Sequence, residues 1–231
     1  RWDSPEVHEA LDLCLSCKAC GTECPTGTDM STYKAEVLYQ SYKGRVRPMK
    51  HYVLGFLPQI ARLSAPLAPV VNRVTGLPVL STMAKRIGGI DVRRSIPQFA
   101  ATTFRKWWAT GAEAGARPDE AQGANTASGD RTPRAESGGS GETAEVVLFA
   151  DSWSNHFTPR SLAAAVAVLE HAGVTVRVID QTVCCGLALI STGQLDAARA
   201  NLSETITALD ATGDVPIIGV EPSCLATLKD D

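Results

Sequence analysis

Several features are scarce in this chain of 231 residues. No uninterrupted run of about 18 apolar residues occurs, so the sequence predicts no membrane-spanning helix. No G-x-G-x-x-G loop follows any predicted strand, so the usual signature of a dinucleotide site is missing. Acidic residues are nearly absent between positions 44 and 110, where Asp91 stands alone among 11 basic side chains. This basic segment, inside a chain of net charge −3, is typical of a docking surface for something anionic.

Cysteine, by contrast, is concentrated. Four of the seven cysteines form the run CLSCKACGTECP, with the spacing C-x2-C-x2-C-x3-C-P. Bacterial ferredoxins use this spacing for a [4Fe–4S] cluster, whereas zinc sites usually keep two cysteine pairs far apart. The run therefore predicts cluster ligation by Cys14, Cys17, Cys20 and Cys24. Free cysteines in this number favour a reducing compartment, which we expect to be the cytoplasm or the cytoplasmic face of a membrane.

The run leaves the ligation of Cys24 open. In two-cluster ferredoxins the cysteine before proline ligates the other cluster, so Cys14, Cys17 and Cys20 would hold one cluster and Cys24 a second. No second run of this kind occurs in the chain. Either all four cysteines close one cluster, or the missing ligands lie in a segment outside this chain. Because the sequence starts at Arg1 without an initiator Met, we expect a fragment of a longer polypeptide.

Patterns along the chain divide it into four segments. Residues 1–45 read as an α-helical ferredoxin-like segment, with Ser31 as the N-cap of the helix after the cysteines. Residues 46–110 are basic and interrupted by prolines, which predicts short helices. Residues 111–143 are rich in Gly, Ala, Ser and Thr, which predicts a flexible linker. Residues 144–231 read as an α/β domain, which could be incomplete at its end.

The basic segment has two interpretations. It forms either a helical packing layer over the cluster segment, or a face that lies on anionic lipid or on a partner through residues 44–110. Trp107 and Trp108 would be partly buried core in the first case and interfacial anchors in the second. The segment is apolar, broken by prolines and without a nucleic-acid-binding motif, so we expect no nucleic acid partner.

The last segment alternates strands and helices. Apolar runs at 146–150, 175–179 and 216–220 predict strands, and Thr158 with Pro159 predicts the capped start of a helix between the first two. A second helix is predicted from the apolar stripe Leu195, Ala198, Leu202, Ile206 and Leu209. This order implies a small parallel sheet with right-handed crossovers. The predicted fold class is therefore an α-helical ferredoxin-like segment followed by an α/β domain.

Chemically active residues follow each predicted strand. Ligands of open α/β sheets sit at the carboxyl ends of the strands. The residues at these ends are Asp151, Ser152, Asn155 and His156 after the first strand, Cys184, Cys185 and Gly186 after the second, and Glu221, Ser223 and Cys224 after the third. Cys184, Cys185 and Cys224 are the candidate metal or redox residues, and buried cysteines without a ligand are the alternative. We expect His156 and His171 to be structural.

Two stretches carry a family resemblance. The stretch CLSCKACGTECPTGTDMSTYKAEVL resembles the ferredoxin-like segment of FAD-linked oxidases that carry iron–sulfur domains, the D-2-hydroxyacid dehydrogenases of the D-lactate and D-2-hydroxyglutarate type. Residues 146–231 are similar to the cysteine-rich CCG domain, which also occurs in heterodisulfide reductases and in the iron–sulfur components of glycolate oxidase and anaerobic glycerol-3-phosphate dehydrogenase. Two departures stand out: residues 146–153 hold no cysteine before the pair, and Thr227 stands where the pattern ends in cysteine.

The resemblance implies a function. A flavin domain preceding Arg1 would oxidise a 2-hydroxyacid, and this chain would pass electrons from FAD through a 4Fe–4S cluster to a downstream acceptor. The chain would then be part of an oxidoreductase, with the FAD-binding dehydrogenase domain in the same polypeptide or in a partner protein. Two alternatives are a non-catalytic module with a structural cluster and a partner-binding CCG-like domain, and heterodisulfide-reductase-like thiol chemistry.

Overall fold

A computed structural model describes residues 2–110 and 144–230 of the chain. The predicted linker, 111–143, lies outside the described residues. In the first range the helices are α1 (Pro5–Asp12), α2 (Ala19–Glu23), α3 (Met30–Ser41), α4 (Met49–Gly55), α5 (Leu57–Ser64), α6 (Ala68–Gly76), α7 (Pro78–Gly88) and α8 (Phe104–Ala109), with a 3-10 turn at Ala65–Leu67. The second range contains β1 (Glu145–Phe149), α9 (Ser152–His156), α10 (Pro159–His171), β2 (Thr175–Val178), α11 (Leu187–Ser191), α12 (Leu195–Asp210), β3 (Ile217–Gly219) and α13 (Pro222–Asp230).

The three strands form a parallel sheet in the order β2-β1-β3, which confirms the predicted fold class. β1 is central, and its apolar run is buried on both faces, as expected of a parallel strand covered by helices. Val146 and Leu148 pack with Leu162 of α10, while Val147 and Phe149 pack with Val183 on the opposite face. Both faces of the sheet are therefore covered, and the carboxyl edge remains the place for a site.

Helix α8 belongs to the core of the sheet domain. Phe104 is fully buried beside Leu148 and Leu162, and Trp107 and Trp108 pack partly buried against the same cluster. The ring centroid of Phe104 lies 5.6 Å from that of Trp107 and 6.1 Å from that of Trp108. The interpretation of the two tryptophans as core residues is therefore the one that the structure shows.

The start of α3 differs from the prediction. Asp29, not Ser31, is its N-cap: Oδ1 of Asp29 accepts hydrogen bonds from the backbone N–H groups of Ser31 at 2.9 Å and Thr32 at 3.2 Å. Partial burial raises the pKa of Asp29, but the hydrogen bonds from Ser31 and Thr32 outweigh it and lower the pKa to about 2. The carboxylate accepts from two amides of the first turn, and Ser31 lies buried inside that turn.

Two further helix predictions hold in part. Helix α10 starts at Pro159 after Thr158 as predicted, but the Thr158 side chain makes no capping hydrogen bond. In α12 the buried residues are Ala198, Thr205 and Ala208, while Ile206 of the predicted stripe is about half exposed. The buried face of α12 is thus turned from the predicted one, because it receives a polar side chain that serves the cysteine loop described below.

The middle helices cover the α/β domain rather than the cysteine segment. α5 packs on α9, and α4 packs on α11. Ala61 and Ala68 are fully buried together with Phe99, and the rings of Phe99 and Phe157 lie 4.8 Å apart. The packing-layer interpretation is therefore correct for the inner faces of these helices, but the layer lies on a different part of the chain than expected.

The turn between α11 and α12 is the point where the two halves of the chain meet most closely. Gly193 has φ +68°, and a Cβ atom there would lie 2.4 Å from Cβ of Leu38 and 2.8 Å from the backbone nitrogen of Tyr39. Arg47 donates hydrogen bonds to the carbonyl oxygens of Thr192 at 2.9 Å and Gly193 at 2.6 Å. Glycine is thus required at residue 193 both by backbone conformation and by space.

His51 is buried in the same contact. Its carbonyl oxygen accepts a hydrogen bond of 2.9 Å from Nε2 of Gln194, while Nδ1 of its ring has no hydrogen-bond partner. Burial, assisted by the nearby positive charges of Lys50 and Arg47, lowers the pKa of His51 from 6.5 to about 4. The imidazole is therefore neutral in the folded protein at neutral pH.

We expect Gly193→Ala to lower the free energy of unfolding by about 2–4 kcal/mol, because the methyl group adds a steric clash to a left-handed backbone. The matched control is Gly213→Ala, since Gly213 has φ +74° but a methyl group there would meet no atom within 4 Å. The control should lose only about 1 kcal/mol. Urea denaturation measures both, and equal losses would contradict a close approach at Gly193.

The stability of the protein should fall as the pH drops from about 6.5 towards 4. The folded state keeps His51 neutral, so the unfolded state binds the additional proton and stability is lost below the ordinary pKa of histidine. We expect His51 to contribute about 1–2 kcal/mol to this loss by about pH 5. Urea denaturation at several pH values should show a shallower pH dependence for His51→Gln than for the unchanged protein, and the same slope in both would refute the assignment.

Candidate functional site

The cysteine loop between α1 and α3 is tightly curled. Ser16 and Lys18 have φ values of +53° and +60°, which side-chain-bearing residues rarely adopt, and they flank Cys17 on both sides. Cys17 is exposed, whereas Cys14, Cys20 and Cys24 are half-buried. Two left-handed residues within three positions bend the backbone back on itself, so its amide groups come close to the cysteine sulfurs.

The cysteine sulfurs of this loop receive hydrogen bonds. The backbone N–H of Ser16 lies 3.4 Å from Sγ of Cys14, and that of Met30 lies 3.2 Å from Sγ of Cys20. Sγ of Cys24 lies 3.1 Å from the hydroxyl oxygen of Thr26. This hydroxyl, with backbone N–H groups of Thr28 and Thr26, lowers the pKa of Cys24 to about 6. The loop is therefore built to carry negative charge on sulfur.

The donor set fits the predicted iron–sulfur group. Four cysteine thiolates are the ligands of such clusters, and N–H···S hydrogen bonds are among the features that set their potential. Among residues 2–110 and 144–230, however, no three His, Cys, Asp or Glu side chains are arranged as a closed metal site. The assignment of Cys14, Cys17, Cys20 and Cys24 as ligands therefore stays a prediction, supported by the donors around the sulfurs.

The second group of cysteines lies at the carboxyl edge of the sheet. Sγ of Cys185 lies 3.1 Å from Sγ of Cys224, and Cys184 makes side-chain contacts with Cys185 and with Ser152. The structure thus brings together residues that follow all three strands, as the strand order predicts. Whether Cys184, Cys185 and Cys224 hold a metal stays a prediction.

The thiols at this edge are held in their protonated form. Contact with Cys185 and burial raise the pKa of Cys184. For Cys185, contact with Cys184 lowers the pKa, but contact with Cys224 and burial together raise it to about 12. Thiols with raised pKa values are poor nucleophiles, and a bound cation would reverse this effect by favouring the thiolate.

Helix α12 fixes the backbone of the cysteine pair. The hydroxyl of Thr205 accepts the N–H of Cys184 at 3.2 Å and lies 2.9 Å from its carbonyl oxygen, which also accepts a 2.7 Å bond from Nδ2 of Asn201. Gly186 has φ +77° and a Cβ there would lie 3.3 Å from Leu202, so the expected close backbone approach at this glycine is present. Sequence reasoning missed Asn201 and Thr205, although polar residues four apart on a packed helix are a usable signal.

Asp151 contributes a buried carboxylate to the same edge. It is 1 % exposed, and its Oδ1 accepts the N–H of Ser154 at 2.8 Å, while Oδ2 has no hydrogen-bond partner. Burial, with a smaller contribution from the charge of Glu221, raises its pKa. Asp151 lies within the stretch where the family pattern has a cysteine, so an oxygen rather than a sulfur stands at this end of β1.

The other residues after β1 have structural roles. Oδ1 of Asn155 accepts the backbone N–H of Arg105 at 3.0 Å, and its Nδ2 lies 3.2 Å from Nε2 of the buried His156. The guanidinium of Arg105 donates to the carbonyl oxygens of Ile179, Asp180 and Gln181, just beyond β2. His171 is exposed on α10. Arg105 therefore fixes the approach of the chain to the cysteine pair, a role that sequence reasoning missed.

The cysteine loop faces the second group of cysteines. Ser16 and Lys18 of the loop, with Ser31 and Thr32 of α3, line a shallow depression whose opposite wall is formed by Leu187, Ile190 and Ser191 of α11. Helix α11 begins directly after Gly186 and so starts two residues beyond Cys185. The two cysteine groups therefore lie on the same side of the molecule, separated by one short helix.

Comparison with known proteins agrees with this architecture. Residues 151–229 match the cysteine-rich domain family. The chain is 25 % identical over 186 residues to one component of the anaerobic glycerol-3-phosphate dehydrogenase of Escherichia coli (strain K12), covering 79 % of this chain and 41 % of that protein. It is 32 % identical over 87 residues to D-2-hydroxyglutarate dehydrogenase of Haemophilus influenzae, covering 38 % of this chain and 8 % of that protein. The corresponding Escherichia coli (strain K12) enzyme is 30 % identical over 90 residues.

These matches confirm the resemblance that the sequence predicts: this chain has a cysteine-rich domain and is related to components of dehydrogenases. The chain spans about two fifths of the length of the glycerol-3-phosphate dehydrogenase component and less than a tenth of the D-2-hydroxyglutarate dehydrogenases. No solved structure matches the chain.

We expect Thr205→Val to lower the free energy of unfolding by about 1–3 kcal/mol, because it leaves the N–H of Cys184 without its partner. It should also increase the rate at which Cys184 reacts with an aromatic disulfide reagent. Thr207→Val is the control, since Thr207 is exposed and its hydroxyl bonds only the carbonyl of Ser203 in its own helix. A loss in the control as large as that in Thr205→Val would show that the contact with Cys184 is not the cause.

Proposed function

We propose that this chain is the iron–sulfur electron-transfer part of a flavin-dependent oxidoreductase that oxidises a 2-hydroxyacid. The observation that carries the proposal is the curled cysteine loop, whose backbone N–H groups point at the sulfurs of Cys14 and Cys20. Similarity to components of two dehydrogenases supports an oxidoreductase role. The names of the D-2-hydroxyglutarate dehydrogenases support the 2-hydroxyacid, which could be D-lactate, D-2-hydroxyglutarate or a glycolate-like compound.

In this function Cys14, Cys17, Cys20 and Cys24 would hold a 4Fe–4S cluster, which supplies one-electron transfer with little rearrangement. The chain's own residues set the conditions. The N–H groups of Ser16 and Met30 stabilise negative charge on sulfur, and the ammonium of Lys34 holds the loop through a 2.7 Å hydrogen bond to the carbonyl of Cys14. The exposed Cys17 marks the side from which a redox partner can approach.

The partners follow from this role. We propose an FAD-binding dehydrogenase domain, in the same polypeptide or in a partner protein, as the electron donor. The depression between the cysteine loop and α11 supports onward transfer towards the second cysteine group and a downstream acceptor. The raised pKa values of Cys184 and Cys185 weigh against thiol–disulfide chemistry as the main activity, because buried protonated thiols react slowly.

We expect about four irons and about four acid-labile sulfides per chain after anaerobic purification, with the EPR signal of a reduced [4Fe–4S] cluster after dithionite treatment. Cys17→Ser should lose that signal and all transfer to a one-electron dye. Cys185→Ser should keep the signal, because it lies in the other cysteine group.

Redox titration separates this function from a purely structural cluster. A reversible one-electron midpoint is expected for the electron-transfer role, and a cluster that resists reduction throughout the physiological range would favour the non-catalytic module. No iron after reconstitution of the unchanged chain would contradict local ligation by Cys14–Cys24.

A further inference from the structure

Helices α6 and α7 pack against each other and expose an aliphatic surface. Six large side chains on them are between 41 and 73 % exposed: Val70, Val74, Val79, Leu80, Met83 and Ile87. We call these six residues the α6–α7 face. A contiguous apolar surface of this kind is unusual on a protein that works alone in water, where it marks an interaction site.

The exposure of this face is fixed by packing on the other side of α6. Ala68 is fully buried, and Val71 packs against the cluster that contains Phe99. The side chain of Asn72 donates to the carbonyl of Phe99 at 2.7 Å and accepts its N–H at 2.9 Å. Because these contacts hold the inner side of the helix, the outer side cannot rotate inward without breaking them.

The surroundings of the face are cationic. Arg62, Arg73, Arg86 and Arg94 are exposed around it. No acidic residue occurs between positions 44 and 90, and the carboxylate of Asp91 is bound by Arg93 at 2.7 Å. Arg47 and Arg105 use their charges in internal hydrogen bonds, so the arginines on this outer surface are the ones that remain directed towards solvent.

From these observations we infer that the α6–α7 face lies on a membrane surface that contains anionic lipid. Its residues are aliphatic, whereas protein–protein interfaces favour Tyr, Trp, Phe and Arg at their cores. An aliphatic face bordered by arginines matches acyl chains below anionic headgroups, as on the cytoplasmic leaflet. This inference goes beyond the proposed electron transfer and does not depend on it.

The chain lies on the membrane rather than across it. Among the described helices, no single one is long and apolar enough to span a bilayer; the bent pair Met49–Gly55 and Leu57–Gly76 reaches the length and composition only with a 64° break. Within that pair Ala61 and Ala68 are buried against Phe99, and Gly55 is buried as well. A surface that is half occupied by the protein's own core is suited to interfacial contact.

Vesicle co-sedimentation of the 231-residue chain tests the inference. Vesicles of phosphatidylcholine with about a third phosphatidylglycerol should bind the chain at about 0.05 M salt, and binding should fall at least tenfold at about 0.5 M salt. Vesicles of phosphatidylcholine alone should bind at least tenfold more weakly. No binding at low salt, or equal binding to both vesicle types, would overturn the inference.

Matched variants locate the surface. Val79→Glu with Ile87→Glu, and separately Arg73→Glu with Arg86→Glu, should each reduce binding at least tenfold. The controls are Val168→Glu and Lys229→Glu, which change an exposed apolar and an exposed basic residue of the C-terminal domain. They should stay within about twofold of the unchanged chain, as changes far from a docking site do.

Two outcomes would assign the face to another occupant. Equal losses in the controls would show that charge alone, and not this face, governs binding. Self-association in the absence of lipid that Val79→Glu abolishes would assign the face to a second copy of the chain. Circular dichroism of each variant, expected to match the unchanged protein because all these positions are exposed, shows that any lost binding is not lost folding.

Discussion

The absence of a side chain at Gly193 is the constraint on which the arrangement of this molecule depends. It allows the backbone of the α11–α12 turn to touch the backbone of α3 at Leu38 and Tyr39. Once the two are in contact, Arg47 reaches the carbonyls of Thr192 and Gly193, and Gln194 reaches the carbonyl of His51. The position of the cysteine loop opposite α11 follows from this contact.

Buried polar side chains, more than apolar ones, hold the cysteine pair in position. Asn201 and Thr205 bind the backbone of Cys184 from one side, and Arg105 binds the carbonyls beyond β2 from the other. Each of these groups satisfies a backbone atom that would otherwise be buried without a partner. The edge of the sheet is therefore a rigid frame, in which the cysteine side chains have little freedom beyond their own rotation.

Local patterns predicted the elements well and the contacts between them poorly. The strands were predictable because β1 is an apolar run buried on both faces, which leaves a signal within five residues. The three residues that set the strand-end geometry, Arg105, Asn201 and Thr205, lie far apart in sequence, so no local pattern joins them. Summed charge misled in the same way: the basic segment counted as one surface, yet Arg47 and Arg105 are bound to internal carbonyls.

The candidate site shows the same division. The spacing of Cys14, Cys17, Cys20 and Cys24 is a local pattern and was readable from sequence, as was the placement of Cys184, Cys185 and Cys224 at the ends of parallel strands. The cap of α3 was misjudged by two residues, because Asp29 and Ser31 are both good caps and only the fold decides between them. The unpartnered oxygen of Asp151 depends on burial from several elements and has no counterpart in the sequence.

Phe104 gives the molecule a property that its motif boundaries conceal. This side chain, from the helix before residue 110, is fully enclosed by residues of β1 and α10. The matched cysteine-rich region, 151–229, contains neither Phe104 nor the central strand against which it packs. The part of the chain that can be recognised by sequence is thus smaller than the part that must be inherited, expressed or transplanted together, and a cut placed at the edge of the recognisable motif would open the core of the sheet to water.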